Sequence, residues 1–140
     1  MGSGMGPVVV DANVGIARMQ PSHRNHHRAG RLLSKVHAPI VIHPITLAEC
    51  LVLPIKQGSD PQEIELDTLN ILAARLVTEP ELTSDFTWPA KLAETRAKSG
   101  LKMPDAIVLA TAIVLDGQVA SFDEGLRSNA AALGRLFQEI

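Results

Sequence analysis

After Pro7 the chain runs Val8-Val9-Val10, three β-branched residues with no polar alternation, and stops on a carboxylate, Asp11. A strand with one face in water alternates apolar and polar residues, whereas an unbroken apolar run is buried on both faces, the pattern of a parallel sheet covered by helices. That constraint commits the chain to an α/β fold. It also places Asp11 at the carboxyl end of a buried strand, the edge where open α/β sheets bind their ligands.

The remaining pattern extends this reading. Ile40-Val41-Ile42 is a second buried strand, and Gln118 to Phe122 a late one ending at Asp123. A short C-terminal strand is expected near Leu136-Phe137. Helices are expected from Asn13 to Met19, from a Ser22 cap to about Val36, from Pro44 to about Leu53, and from Pro61 to about Val77. Three more run from Trp88 to Ser99, from Pro104 to Leu115, and onward from about Glu124. Proline suits the first turn of a helix and glycine its end, as at Pro61 and Gly100. Strands alternating with helices argue a single α/β domain with a mostly parallel sheet.

Of the 140 residues, Met1 to Gly6 read as a scar of small residues ahead of one domain over 7–140. With 46% hydrophobic and 20% charged residues the composition is that of a globular protein. The longest apolar run, Ala106 to Leu115, falls short of the ~20 residues that cross a bilayer, and no charged-then-apolar segment opens the chain. A soluble, cytoplasmic protein without membrane contact is expected. A single cysteine, Cys50, excludes an internal disulfide and a thiolate metal site. The net charge of −2 argues against phosphate binding until four acids are set aside in one site, which leaves +2 around an acidic hole. With few aromatics, an RNA partner would be held by backbone and shape more than by stacking.

Four acids stand out. Asp11 and Asp123 follow strands, where each could simply cap the next helix. Asp105 sits in the first turn of the most apolar helix, where the helix dipole favours it by ~0.3–1 kcal/mol. Glu49 is harder to explain structurally: its helix is apolar nearly all round, so its carboxylate should be partly buried, and a buried ion needs a partner, a metal or a shifted pKa. Taken together, four carboxylates at one sheet edge suit a hard divalent cation, which prefers oxygen ligands.

The segments Val-Val-Val-Asp11-Ala-Asn13, Ile-Thr-Leu-Ala-Glu49, Lys-Met-Pro-Asp105-Ala-Ile-Val-Leu-Ala-Thr-Ala and Val-Ala-Ser121-Phe-Asp123 resemble the PIN-domain ribonucleases, in particular the VapC toxins of toxin-antitoxin pairs. The resemblance implies a three-layer α/β/α domain with a central, mostly parallel sheet. It implies a catalytic, metal-holding set of Asp11, Glu49, Asp105 and Asp123, with Asp11 and Asp105 as direct ligands and Asn13 and Ser121 orienting them. The cofactor would be Mg²⁺ or Mn²⁺ and the substrate RNA. The partners would be a cognate antitoxin protein and a second copy of the chain in a homodimer.

Other readings have less behind them. An aspartyl-phosphate phosphatase generally has a second Asp where this chain has Asn13, and a response-regulator receiver needs a mid-chain acid after a strand, whereas Glu49 lies on a helix. No glycine-rich loop follows the first strand, which disfavours a nucleotide site. A catalytically silent module binding RNA or protein is the alternative from a different class. The His23-Arg24-Asn25-His26-His27-Arg28 run has no carboxylate near it for a metal. Instead Arg24, Arg28, Arg31 and Lys35 form a cationic stripe at helical spacing, either a solvated face or a contact for RNA or an acidic antitoxin segment. Apolar residues on several sides of the Pro61 helix fit deep burial or a dimer contact.

Overall fold

The computed structural model describes residues 6–83 and 88–139; Met1–Met5, most of the expected scar, lie outside them. Gly6 is part of the body, its amide donating to Asp116 O at 3.0 Å. In chain order the elements are β1 (Val8–Val10), α1 (Ala12–Met19), α2 (His26–Ser34), β2 (Ile40–Ile42), α3 (Pro44–Lys56) and α4 (Pro61–Leu72). They continue with β3 (Ala74–Leu76), α5 (Glu79–Thr83), α6 (Trp88–Ser99), α7 (Met103–Val114), β4 (Gln118–Ala120) and α8 (Glu124–Ala132). The four described strands form one parallel sheet in the order β3-β2-β1-β4. Beyond β4 a parallel bridge joins Val119 to Leu136, where a C-terminal strand was expected.

Alternation along each strand sorts the core into two layers of helices. Val9, Val41 and Val119 face α7 and α8, packing with Ala106, Val108, Leu109, Ala112, Leu126 and Ala130. Val8, Val10 and Ala120 face the other way, against Val14 and Ala17 of α1 and Ala29 and Leu32 of α2. On that same side Ile42 meets Leu47, Cys50 and Leu51 of α3 and Leu72 of α4. The three-layer α/β/α architecture follows. Two glycines permit close approaches. A Cβ on Gly15 of α1 would lie 2.8 Å from Cys50 Sγ on α3, and one on Gly117 would lie 2.1 Å from Pro7 O.

Three expectations need correction. The Pro61 helix ends at Leu72 rather than Val77, and Ala74–Leu76 is a strand, β3, on the edge of the sheet. Its apolar residues continue the helical spacing, but Ala73 turns left-handed at φ 54° and breaks the helix without glycine or proline to announce it. The second helix starts at His26, not after Ser22, because tight turns intervene in which the His23 ring accepts from Asn25 N–H at 3.0 Å. The third helix runs to Lys56, through Pro54.

The left-handed region costs an L-residue roughly 1–2 kcal/mol, while glycine loses roughly 0.5–1 kcal/mol in backbone freedom. Ala73→Gly is therefore expected to stabilise the protein slightly, by up to about 1 kcal/mol, in urea unfolding. A clear loss of stability would contradict a left-handed break between α4 and β3.

Candidate active site

β1 and β4 are adjacent and parallel, so Asp11 and Ser121 emerge side by side at the carboxyl edge. The ladder runs on into the site, Asp11 N–H donating to Ala120 O at 3.0 Å. Asp11 is 5% exposed and capped on both oxygens: Ala12 N–H donates to Oδ1 at 2.8 Å and the Ser121 hydroxyl to Oδ2 at 2.7 Å. Ser121 Oγ accepts in turn from Asp123 N–H at 2.9 Å and from Asn13 Nδ2 at 3.4 Å. Asn13 Oδ1 accepts from Phe122 N–H at 3.2 Å. Asn13 thus orients the Ser121-Phe122 segment, and Ser121 orients Asp11.

The other acids surround this centre. Asp123 caps α8, accepting from Leu126 N–H at 2.9 Å, and Asp105 lies in the first turn of α7. Burial pushes the Asp11 carboxyl up to about 6, against the pull of its hydrogen bonds from Ser121 and Ala12; the charges of Asp105 and Asp123 add to the rise. Burial also raises Asp105, helped by Asp123 and opposed by Lys102. Glu49 is raised by burial and then by Asp105. Repulsion thus couples Asp11, Asp105 and Asp123 with one another and reaches Glu49 through Asp105. Among the described residues no three His, Cys, Asp or Glu side chains are grouped closely enough to hold a metal ion between them.

Glu49 is exposed as a whole residue, yet its carboxyl is desolvated enough to be raised, in keeping with partial burial and a shifted pKa. α3 buries only the stripe of Thr46, Leu47, Cys50 and Leu51, and Glu49 lies on the exposed side with Ile45, Val52 and Leu53. Cys50 is buried, its Sγ 3.8 Å from Ala12 O, and burial with the charges of Glu49 and Asp11 pushes its thiol up to about 12. It is no nucleophile at neutral pH.

The cationic stripe is divided. Arg24 precedes α2 and is exposed, as is Arg31. Arg28 is clamped by Glu139, with Nε and Nη2 donating at 2.9 and 2.6 Å, and its guanidinium stacks over the Phe122 ring at 4.3 Å. Lys35 donates to the Glu139 carbonyl at 2.5 Å. Both fasten the C-terminal segment. Sequence reasoning missed Arg127, whose Nη1 donates to Ser121 O at 3.0 Å; only its place one helical turn after Asp123 marked it. It also missed His43, which caps α3 by accepting from Ile45 N–H at 3.0 Å and stacks on Trp88.

The PIN domain family model matches residues 8–132. The chain belongs to the PIN domain family. PIN domains are nuclease-type folds, generally hydrolases that use divalent metal ions. No curated protein matches the chain. In this PIN domain the four acids offer an all-oxygen donor set, the chemistry that fits Mg²⁺ or Mn²⁺. On α3, three residues before Glu49, the hydroxyl of Thr46 is buried without a hydrogen-bond partner among the described residues.

Acids with raised folded pKa values cost nothing while protonated; the cost grows as pH climbs from the ordinary value of ~4 and is complete above the folded values. In metal-free buffer, Asp105→Asn is expected to melt at or above wild type at pH 7, the difference closing as pH falls below ~4. A variant melting well below wild type at every pH would make Asp105 chiefly a helix-start residue.

Proposed function

We propose that this PIN domain is a Mg²⁺- or Mn²⁺-dependent ribonuclease that hydrolyses RNA phosphodiester bonds, acting in the cytoplasm as the toxin of a VapBC-type pair that stops translation and growth. One observation carries the reading: a buried, doubly hydrogen-bonded Asp11 whose charge is coupled to Asp105 and Asp123, with Glu49 joined through Asp105, at the carboxyl edge of the sheet. Asp11 and Asp105 would hold the cation directly, with Glu49 and Asp123 completing the acidic set. When bound, such an ion activates water and offsets the charge developing on a phosphodiester.

The chain's own residues prepare that chemistry. Ser121 and the Ala12 amide fix Asp11 in one orientation, and Asn13 fixes Ser121. Arg24 and Arg31 remain exposed for an RNA backbone or an acidic antitoxin segment. The exposed apolar residues Ile45, Val52 and Leu53 of α3, with Leu66 and Ile71 of α4, support a homodimer. No helix among the described residues is long and apolar enough to cross a membrane.

Purified protein should cut short single-stranded RNA, lose that activity in EDTA and regain it with Mg²⁺ or Mn²⁺. Asp105→Asn should keep its circular dichroism spectrum and lose cleavage by more than about a hundredfold, and should not arrest growth when expressed. Cleavage that survives EDTA would end the metal mechanism. A folded, metal-loaded protein that binds RNA without cutting it would favour the silent module instead.

A further inference from the structure

Threonines inside the helices of this protein satisfy their hydroxyls in one way. Thr68, Thr95 and Thr111 donate to the carbonyls of Ile64, Lys91 and Ile107, four residues back, at 2.7, 2.9 and 2.7 Å. Thr46 departs from this. It is 1% exposed, and its Oγ1 is the buried side-chain polar atom left without a partner among the described residues. The residue four before it is Ile42, which belongs to β2; its carbonyl accepts from Val77 N–H at 3.0 Å instead. α3 begins at Pro44, so Thr46 has no preceding helical turn to donate to. A buried, unsatisfied hydroxyl is destabilising, and valine has the same shape without the hydroxyl. Stability alone gives no reason for threonine here.

The direction of Thr46 follows from its neighbours. At 100° per residue, Thr46 falls between Glu49, ~60° to one side, and Cys50, ~40° to the other, one turn nearer the sheet. Cys50 faces Ala12 O on α1, beside Asp11, while Glu49 is coupled to Asp105 on α7. α3 packs against both α1 and α7, and Thr46 lies on its buried stripe. Helical side chains lean toward the N-terminus and cover the turn before their own Cα. Glu49, three residues on, is a helical neighbour of Thr46. Unlike Asp11, neither Glu49 nor Asp105 owes any part of its shift to a hydrogen bond.

We propose that Thr46 is a positioning residue, its hydroxyl donating to the Glu49 carboxylate and fixing that side of the acidic set when a divalent cation draws the acids together. The inference rests on the metal-site reading given under Proposed function and adds a residue to it. Partners of this kind, one step removed from a metal, typically contribute tenfold to a hundredfold in affinity.

Mn²⁺ binding to the full chain, followed by electron paramagnetic resonance without RNA, tests it. Thr46→Val should bind Mn²⁺ roughly tenfold to a hundredfold more weakly, while its metal-free melting temperature equals or exceeds wild type. Thr46→Ser, which keeps the hydroxyl, should bind as wild type does, and Thr46→Ala provides a second truncation with the same expected loss as valine. On a Glu49→Gln background, Thr46→Val should add nothing further. Wild-type affinity in Thr46→Val, or equal losses in the serine and valine variants, would overturn the role of Thr46 and leave the metal site standing. If wild type itself takes up no Mn²⁺, the metal-site reading and this inference fall together.

Discussion

The burial of one carboxylate organises this protein. Asp11 ends the central strand β1 and has almost no contact with water, yet it carries an ionisable group. A buried carboxylate is tolerated when its oxygens are hydrogen-bonded, and both oxygens of Asp11 are: by the first amide of α1 and by Ser121 from the neighbouring strand. The second bond requires β1 and β4 to be adjacent and parallel, in a register that ends both at the same level. The sheet order and the site are thus a single arrangement.

Around that centre the same elements serve structure and chemistry. Asp123 caps α8 while its charge raises Asp11, and Asp105 sits in the favourable first turn of α7 while its charge reaches Asp11 and Glu49. The helix termini stabilise charges that would otherwise repel one another. The fold thereby keeps an open acidic edge in the metal-free state, at a cost that a bound divalent cation would offset.

Much of this was legible in the sequence because the signals were local. Unalternating Val8–Val10 and Ile40–Ile42 marked strands buried on both faces, and Pro44, Pro61 and Pro104 marked helix starts. The acids at strand and helix ends followed directly. What escaped depended on tertiary context. β3 continues the apolar spacing of α4, and only the left-handed Ala73 separates them. The partial desolvation read for Glu49 holds, but the apolar residues around it did not show that α3 leaves Ile45, Val52 and Leu53 exposed. The cationic stripe assumed one continuous helix. The structure starts that helix after Arg24 and ties Arg28 to Glu139, a residue more than a hundred positions away, which no local pattern could reveal.

Asp11 is a desolvated, charge-crowded carboxylate, and under the proposed function it would hold a divalent cation. Side-chain carboxyl NMR of Asp11 through a pH titration, with and without Mg²⁺, tests it directly. The account predicts a midpoint near about 6 without metal and a fall below the ordinary ~4 when Mg²⁺ is added. A midpoint at the ordinary value, unmoved by Mg²⁺, would contradict it.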